Sequence, residues 1–152
     1  MSGKLRFGKQ ISGQGHKAQS LIEMTLSFTV ILFLLLALID FGYAFLTWIT
    51  IRDAAQEGAT YGSIHPGTAC RPQIRNWVRN SASSTIINIS ALPDDHIIIT
   101  STGSSVGSSI NVQVNDEYHI LTPLVSLAIG TPNIQLSARI SNTILQVDSA
   151  CP

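Results

Sequence analysis

After Lys17 the sequence contains no lysine, before Pro66 it contains no proline, and cysteine occurs only at Cys70 and Cys151. Each shortage excludes something. Beyond the opening segment the basic residues are Arg52, Arg71, Arg75, Arg79 and Arg139, interspersed with seven acids from Asp53 to Asp148. No cationic stripe is left to track a phosphate backbone, so the chain is not read as a nucleic-acid binder. The cysteines have no CxxC partner and no Cys/His metal spacing. His65, His96 and His119 are dispersed, with no Ser/His/Asp or Cys/His order that would assemble a nucleophile and its base. The expectation is no catalytic residue, no metal and no cofactor: this is not an enzyme.

What the chain does contain is one long apolar run. From Met24 to Ile39 there is no charged side chain, and after Asp40 the stretch Phe41 to Ile51 continues apolar. About 20 apolar residues in a helix cross a bilayer core. The run is preceded by a basic tail (Lys4, Arg6, Lys9, Lys17) with no acid among them. Basic flanks stay on the cytoplasmic side, which predicts a single span with the N-terminus in and the C-terminal domain out. Both cysteines then lie outside the cytoplasm, where paired thiols oxidise, so Cys70–Cys151 is the expected disulfide. In the chain-entropy model, closing so long a loop removes roughly 4–5 kcal/mol of unfolded-state entropy.

The chain divides into three regions. Residues 1–18 form a basic leader or cytoplasmic tail, rich in Gly, Lys and Gln. Residues 19–62 hold only Gly42 and Gly58 before Tyr61, which supports one unbroken helix, transmembrane over about 21–45 and amphipathic beyond. Gly62, Ser63 and Pro66-Gly67 end it. Residues 63–152 form a small extracytoplasmic domain. There Pro72 opens a short helix with Ile74, Trp77 and Val78 on one face, fading over 81–85. His96 to Thr100 is a β-branched run, and residues 110–120 and 134–141 alternate apolar and polar with period two. Residues 103–107 and 122–132 read as connectors. The fold class is α+β: a long N-terminal membrane-anchored helix, then a short helix and a three-stranded antiparallel meander.

Two acids interrupt the apolar run. Glu23 and Asp40 are seventeen residues apart, about 25 Å along a helix, which puts them near opposite faces of the hydrocarbon. A carboxylate in a span costs roughly 2.5–3.5 kcal/mol on insertion scales, so it needs an interface or a partner. If the chain were cut after Ala18, Glu23 would be the fifth residue of the new chain, able to pair with the α-amino group of a neighbouring copy. A second feature is the four-residue spacing of Ala54, Gly58 and Gly62, with Gly42 further back. Small residues at this spacing allow close helix packing, either with neighbours or under the protein's own sheet.

Gln19-Ser20-Leu21-Ile22-Glu23-Met24, Ile39-Asp40-Phe41-Gly42 and the segment Asp53 to Gly62 resemble the TadE-like family, pilin-related proteins of tight-adherence (Tad) pilus systems. The later Ile110–Val114 strand, Leu121-Thr122-Pro123-Leu124 and Leu136-Ser137-Ala138 resemble the region beyond the anchor in such proteins. The family often has Gly where Ala18 stands, Pro where Thr29 stands and Arg where Thr60 stands. The resemblance implies a type IV pilin-like subunit, cut between Ala18 and Gln19 by a prepilin peptidase. It would act by lateral packing of its helix with other pilin-like subunits and pilus assembly machinery, in a homo- or hetero-oligomer. The domain is larger than the short main pilins of such systems, which favours a minor subunit. The alternative is a secreted or tethered soluble binding domain, with Gly42-Tyr43-Ala44 as a signal-peptidase site and 1–44 removed.

Overall fold

The computed structural model describes residues 14–81, 88–146 and Cys151. The leader up to residue 13 and the fading of the second helix over 82–85 lie outside the described residues.

Helix α1 runs Gln14–Ile64, 51 residues, or about 76 Å at 1.5 Å per residue. It extends past the expected 19–62 at both ends. Nothing in the sequence stops it sooner, because no proline precedes Pro66. It is regular through Thr29, where the TadE-like family often carries proline. There the Thr29 hydroxyl donates to the Thr25 carbonyl at 2.8 Å, a bond that keeps the hydroxyl satisfied without solvent. His65 N–H still reaches the Tyr61 carbonyl (3.1 Å), and Pro66 has no N–H with which to continue.

Helix α2 is Arg71–Ser81, with Pro72 in its first turn and Ile74 and Val78 buried. The strands are β1 (Ile97–Ser101), β2 (Ser109–His119) and β3 (Asn133–Thr143), in the order β1-β2-β3. Both pairings are antiparallel: Ile99 faces Val112 across the first, and Val112 faces Ile140 across the second. The expected meander is present. His96, expected on a strand, closes the tight turn Asp94–His96 before β1. Its ring Nδ1 lies 3.1 Å from the Asn115 carbonyl oxygen.

One element differs from the sequence expectation. Helix α3, Pro123–Ile129, occupies what reads as a connector. Thr122 is its N-cap, Pro123 takes the first turn, and Gly130 ends it at φ 84°, a left-handed conformation that glycine adopts without Cβ strain.

The sheet lies along the C-terminal half of α1. A Cβ on Gly62 would meet Ile110, and one on Gly58 would meet Val112. Two strand residues advance about 6.6 Å and four helix residues about 6 Å, so β2 runs back along α1, antiparallel to it, toward the apolar half. The core between them holds Ile51, Ala54, Ala55 and Ala59 of α1, Ile74 and Val78 of α2, and Ile97, Ile110, Val112 and Val114 of the sheet. Small side chains on α1 let the sheet and α2 approach its backbone closely.

Candidate functional site

The feature that sets this molecule apart is the uncovered half of α1. From Gln19 to Ile39 no residue is buried, and Leu21, Met24, Phe28, Leu34 and Leu38 are all more than 60% exposed. These 21 residues span about 30 Å, the thickness of a bilayer's hydrocarbon. A helix that is apolar all round either lies in a protein core or crosses a membrane, and among the described residues nothing covers this one. Ala18 and Gln19 stand at its start, exposed within the helix. Glu23 is exposed one turn further on, and among the described residues no hydrogen bond or ion pair engages it.

Asp40 behaves differently. It is 4% exposed, covered by the loop between β2 and α3. Its Oδ1 accepts the Leu121 N–H at 3.0 Å and its Oδ2 the Thr122 N–H at 3.2 Å, while the Thr122 hydroxyl also donates to Oδ2. Three donors offset the desolvation of a carboxylate removed from water. The Tyr118 hydroxyl lies nearby, buried and without a hydrogen-bond partner among the described residues, and burial raises its pKa, with Asp40 adding to the rise. Just above, Phe41, Phe45 and Trp48 stack in succession, centroids 6.3 and 6.1 Å apart, and the Arg52 guanidinium lies 5.8 Å from the Trp48 ring centroid. Aromatic side chains followed by a cation are what a membrane–water boundary selects.

The small residues are used inside the chain. Ala54, Gly58 and Gly62 are buried. A Cβ on Gly58 would stand 2.3 Å from Val78 Cγ2, and one on Gly62 would stand 2.6 Å from Ile110 Cδ1. Gly42 has open space around it. Cys70 and Cys151 form a disulfide with their Cα atoms 5.5 Å apart, which fixes residue 151 to the start of α2.

Among the described residues, other polar groups do not converge on a reaction centre. No group of three or more His, Cys, Asp or Glu residues is placed to hold a metal among the described residues. An open hollow of about 450 Å³ is lined by His96, Asn115, Asp116 and Gln135 among others. Burial raises the Asp116 pKa above its ordinary 3.8, against the lowering effects of a backbone hydrogen bond and of His96 and His119. Opposite in sign is Asp94, whose hydrogen bond from Arg79, with Arg75 3.8 Å away, lowers its pKa. This ion pair, together with Arg79 Nε donating to the Leu92 carbonyl at 3.0 Å, joins α2 to the segment before β1.

A bare apolar helix of bilayer length carrying a small α+β domain at one end fits a single-pass membrane protein. Residues 18–60 match the family model of TadE-like proteins. The match covers the bare half of α1, the Asp40 junction and most of the half inside the domain, and it points to a Tad pilus-related protein with an N-terminal hydrophobic helix. No curated protein and no solved structure matches the chain.

Proposed function

We propose that this protein is a non-enzymatic, pilin-like structural subunit of a Tad-type pilus or its assembly complex, a minor rather than a main subunit. The observation that carries the reading is the coincidence of the TadE-like match with the bare apolar helix. In this reading the N-terminus is cytoplasmic and the C-terminal domain extracytoplasmic. A prepilin peptidase cuts between Ala18 and Gln19, and the helix exchanges lipid for neighbouring helices on assembly. The basic tail supports the orientation, and the Cys70–Cys151 disulfide supports an oxidising compartment for the domain. Lateral packing gives a use beyond lipid to an apolar surface that no other described residue covers.

The secreted-domain alternative loses ground on one contact. Cleavage after Ala44 would remove Asp40, and with it the acceptor for the Leu121 and Thr122 N–H groups.

The test is the mature N-terminus, read by mass spectrometry from membranes, with protease added to intact cells or spheroplasts. Gln19 as first residue, a domain cleaved from outside and no free thiol in the native protein support the proposal. Ala18→Gly should increase processing. Recovery of the protein as a soluble species beginning at Phe45 overturns it.

A further inference from the structure

We infer that α3 is a second membrane contact: an interfacial helix that dips into the lipid leaflet next to the domain and fixes the domain's height and tilt. The inference rests on the membrane-anchored reading but adds a site to it.

Exposure motivates it. Leu121, Leu124, Leu127 and Ile129 are 60%, 55%, 81% and 55% exposed, while only Val125 of α3 is buried against the domain. Between Ile120 and Ala138 the chain has no Asp, Glu, Lys or Arg. Four large apolar side chains clustered on one short connection form the kind of patch that soluble surfaces avoid.

Position selects lipid as the occupant. Thr122, the N-cap of α3, is bound to Asp40, so the level of α3 along α1 is set by that residue. Leu21 to Asp40 is about 29 Å of helix, close to the ~30 Å hydrocarbon thickness. With Leu21 at one boundary, Asp40 and the start of α3 reach the other. Phe41 and Phe45 are themselves exposed at this level of α1. Interfacial helices bury an apolar face about 5–10 Å into the headgroup–acyl boundary, and the bonds from Thr122 to Asp40 hold the start of α3 at that boundary. The three hydrogen bonds to Asp40 are then the device that lets a carboxylate remain at this depth.

The test uses the full chain reconstituted in phosphatidylcholine–phosphatidylglycerol vesicles, with an environment-sensitive fluorophore on a single added cysteine. The native disulfide is kept by labelling without reductant. Leu124→Cys and Leu127→Cys are compared with Leu32→Cys in the span and Val106→Cys in the exposed 103–107 turn. The expected result is blue-shifted emission at 124 and 127, quenched by brominated lipid to an extent comparable with 32, and no lipid quenching at 106. Labels at 124 and 127 that behave like 106 while 32 is quenched overturn the α3 site and leave the anchor standing. An unquenched label at 32 overturns both. Labels at 124 and 127 shielded from lipid and water alike, with energy transfer between copies, show that a second copy covers α3, and they overturn the lipid assignment.

Discussion

The Asp40 side chain and Thr122 are bonded twice across 82 positions of sequence, through the Thr122 N–H and its hydroxyl, and Leu121 N–H adds a third bond to the same carboxylate. This clamp ties the membrane-proximal end of the sheet to the midpoint of α1. Asp40→Ala leaves two partly buried backbone donors without an acceptor, each a desolvation penalty of roughly 1–3 kcal/mol when fully buried. The expected loss of domain stability is about 3 kcal/mol, measured by denaturant unfolding in detergent with Trp48 and Trp77 as reporters. Asp40→Asn keeps one carbonyl acceptor and should fall between the two. Amide exchange at Leu121 and Thr122 should accelerate in both variants, while membrane insertion is unchanged.

The small residues of α1 divide by what faces them. Gly58→Ala drives a Cβ to 2.3 Å from Val78 Cγ2 and 3.4 Å from Val112 Cγ1, and overpacking of this kind costs about 1–3 kcal/mol. Gly42→Ala meets nothing within 4 Å, so only the gain in helix propensity remains, roughly 0.5–1 kcal/mol of stabilisation. Thermal melts of the two variants should therefore move in opposite directions from the parent. Equal shifts would show that Gly58 is not held in contact with Val78 and Val112.

The architecture was legible because local signals and tertiary structure agree. Absence of proline made α1 continuous, Pro72 with Ile74 and Val78 marked α2, and period-two alternation marked β2 and β3. Helix α3 is not legible in the sequence, although Thr122-Pro123 and Gly130 are ordinary helix boundaries. Its apolar side chains obey no core-facing period, because only Val125 packs inward. The partner of Asp40 could not be read at all, since a hydrogen bond spanning 81 residues leaves no mark in local pattern. Likewise, spacing alone could not decide whether Gly58 and Gly62 face a neighbour or the chain's own sheet. In the fold, Val78 and Ile110, brought in from α2 and β2, lie against them.

Asp94 and Asp116 predict opposite pH behaviour. The Asp94 pKa is lowered in the folded state by Arg79, so its contribution is present above the unfolded value and is lost as pH falls through the folded one. Burial raises the Asp116 pKa, so the folded state holds the proton longer, and stability falls as pH rises from 3.8 through the folded value. Asp94→Asn should destabilise at neutral pH and converge on the parent in acid. Asp116→Asn should stabilise at neutral pH and likewise converge in acid. Denaturation midpoints recorded across the acid range for both variants check the pair of signs.

Glu23 carries the last prediction, and it distinguishes an anchor from an assembling subunit. The carboxylate is exposed on the bare face of α1, one turn past Gln19, with no partner among the described residues. Were it only an interfacial side chain, Glu23→Gln would remove a charge from the edge of the hydrocarbon and be mildly favourable. In the proposed assembled state, it instead meets the new α-amino group of a neighbouring copy. Losing one member of such a buried pair costs roughly 3–5 kcal/mol, against at most about 1 kcal/mol for an exposed pair. Both accounts leave insertion intact, because glutamine is no harder to insert than a charged glutamate. They differ in the sign of the effect on assembly. The expected outcome is Glu23→Gln protein present in membranes at the parent's level and with the parent's mature N-terminus, yet missing from sheared filaments and from cross-linked complexes. Glu23→Asp, which keeps the charge one methylene shorter, should assemble in part. Normal entry of the glutamine variant into assemblies would return Glu23 to the role of an interfacial side chain, and lateral packing would then rest on the apolar surface alone.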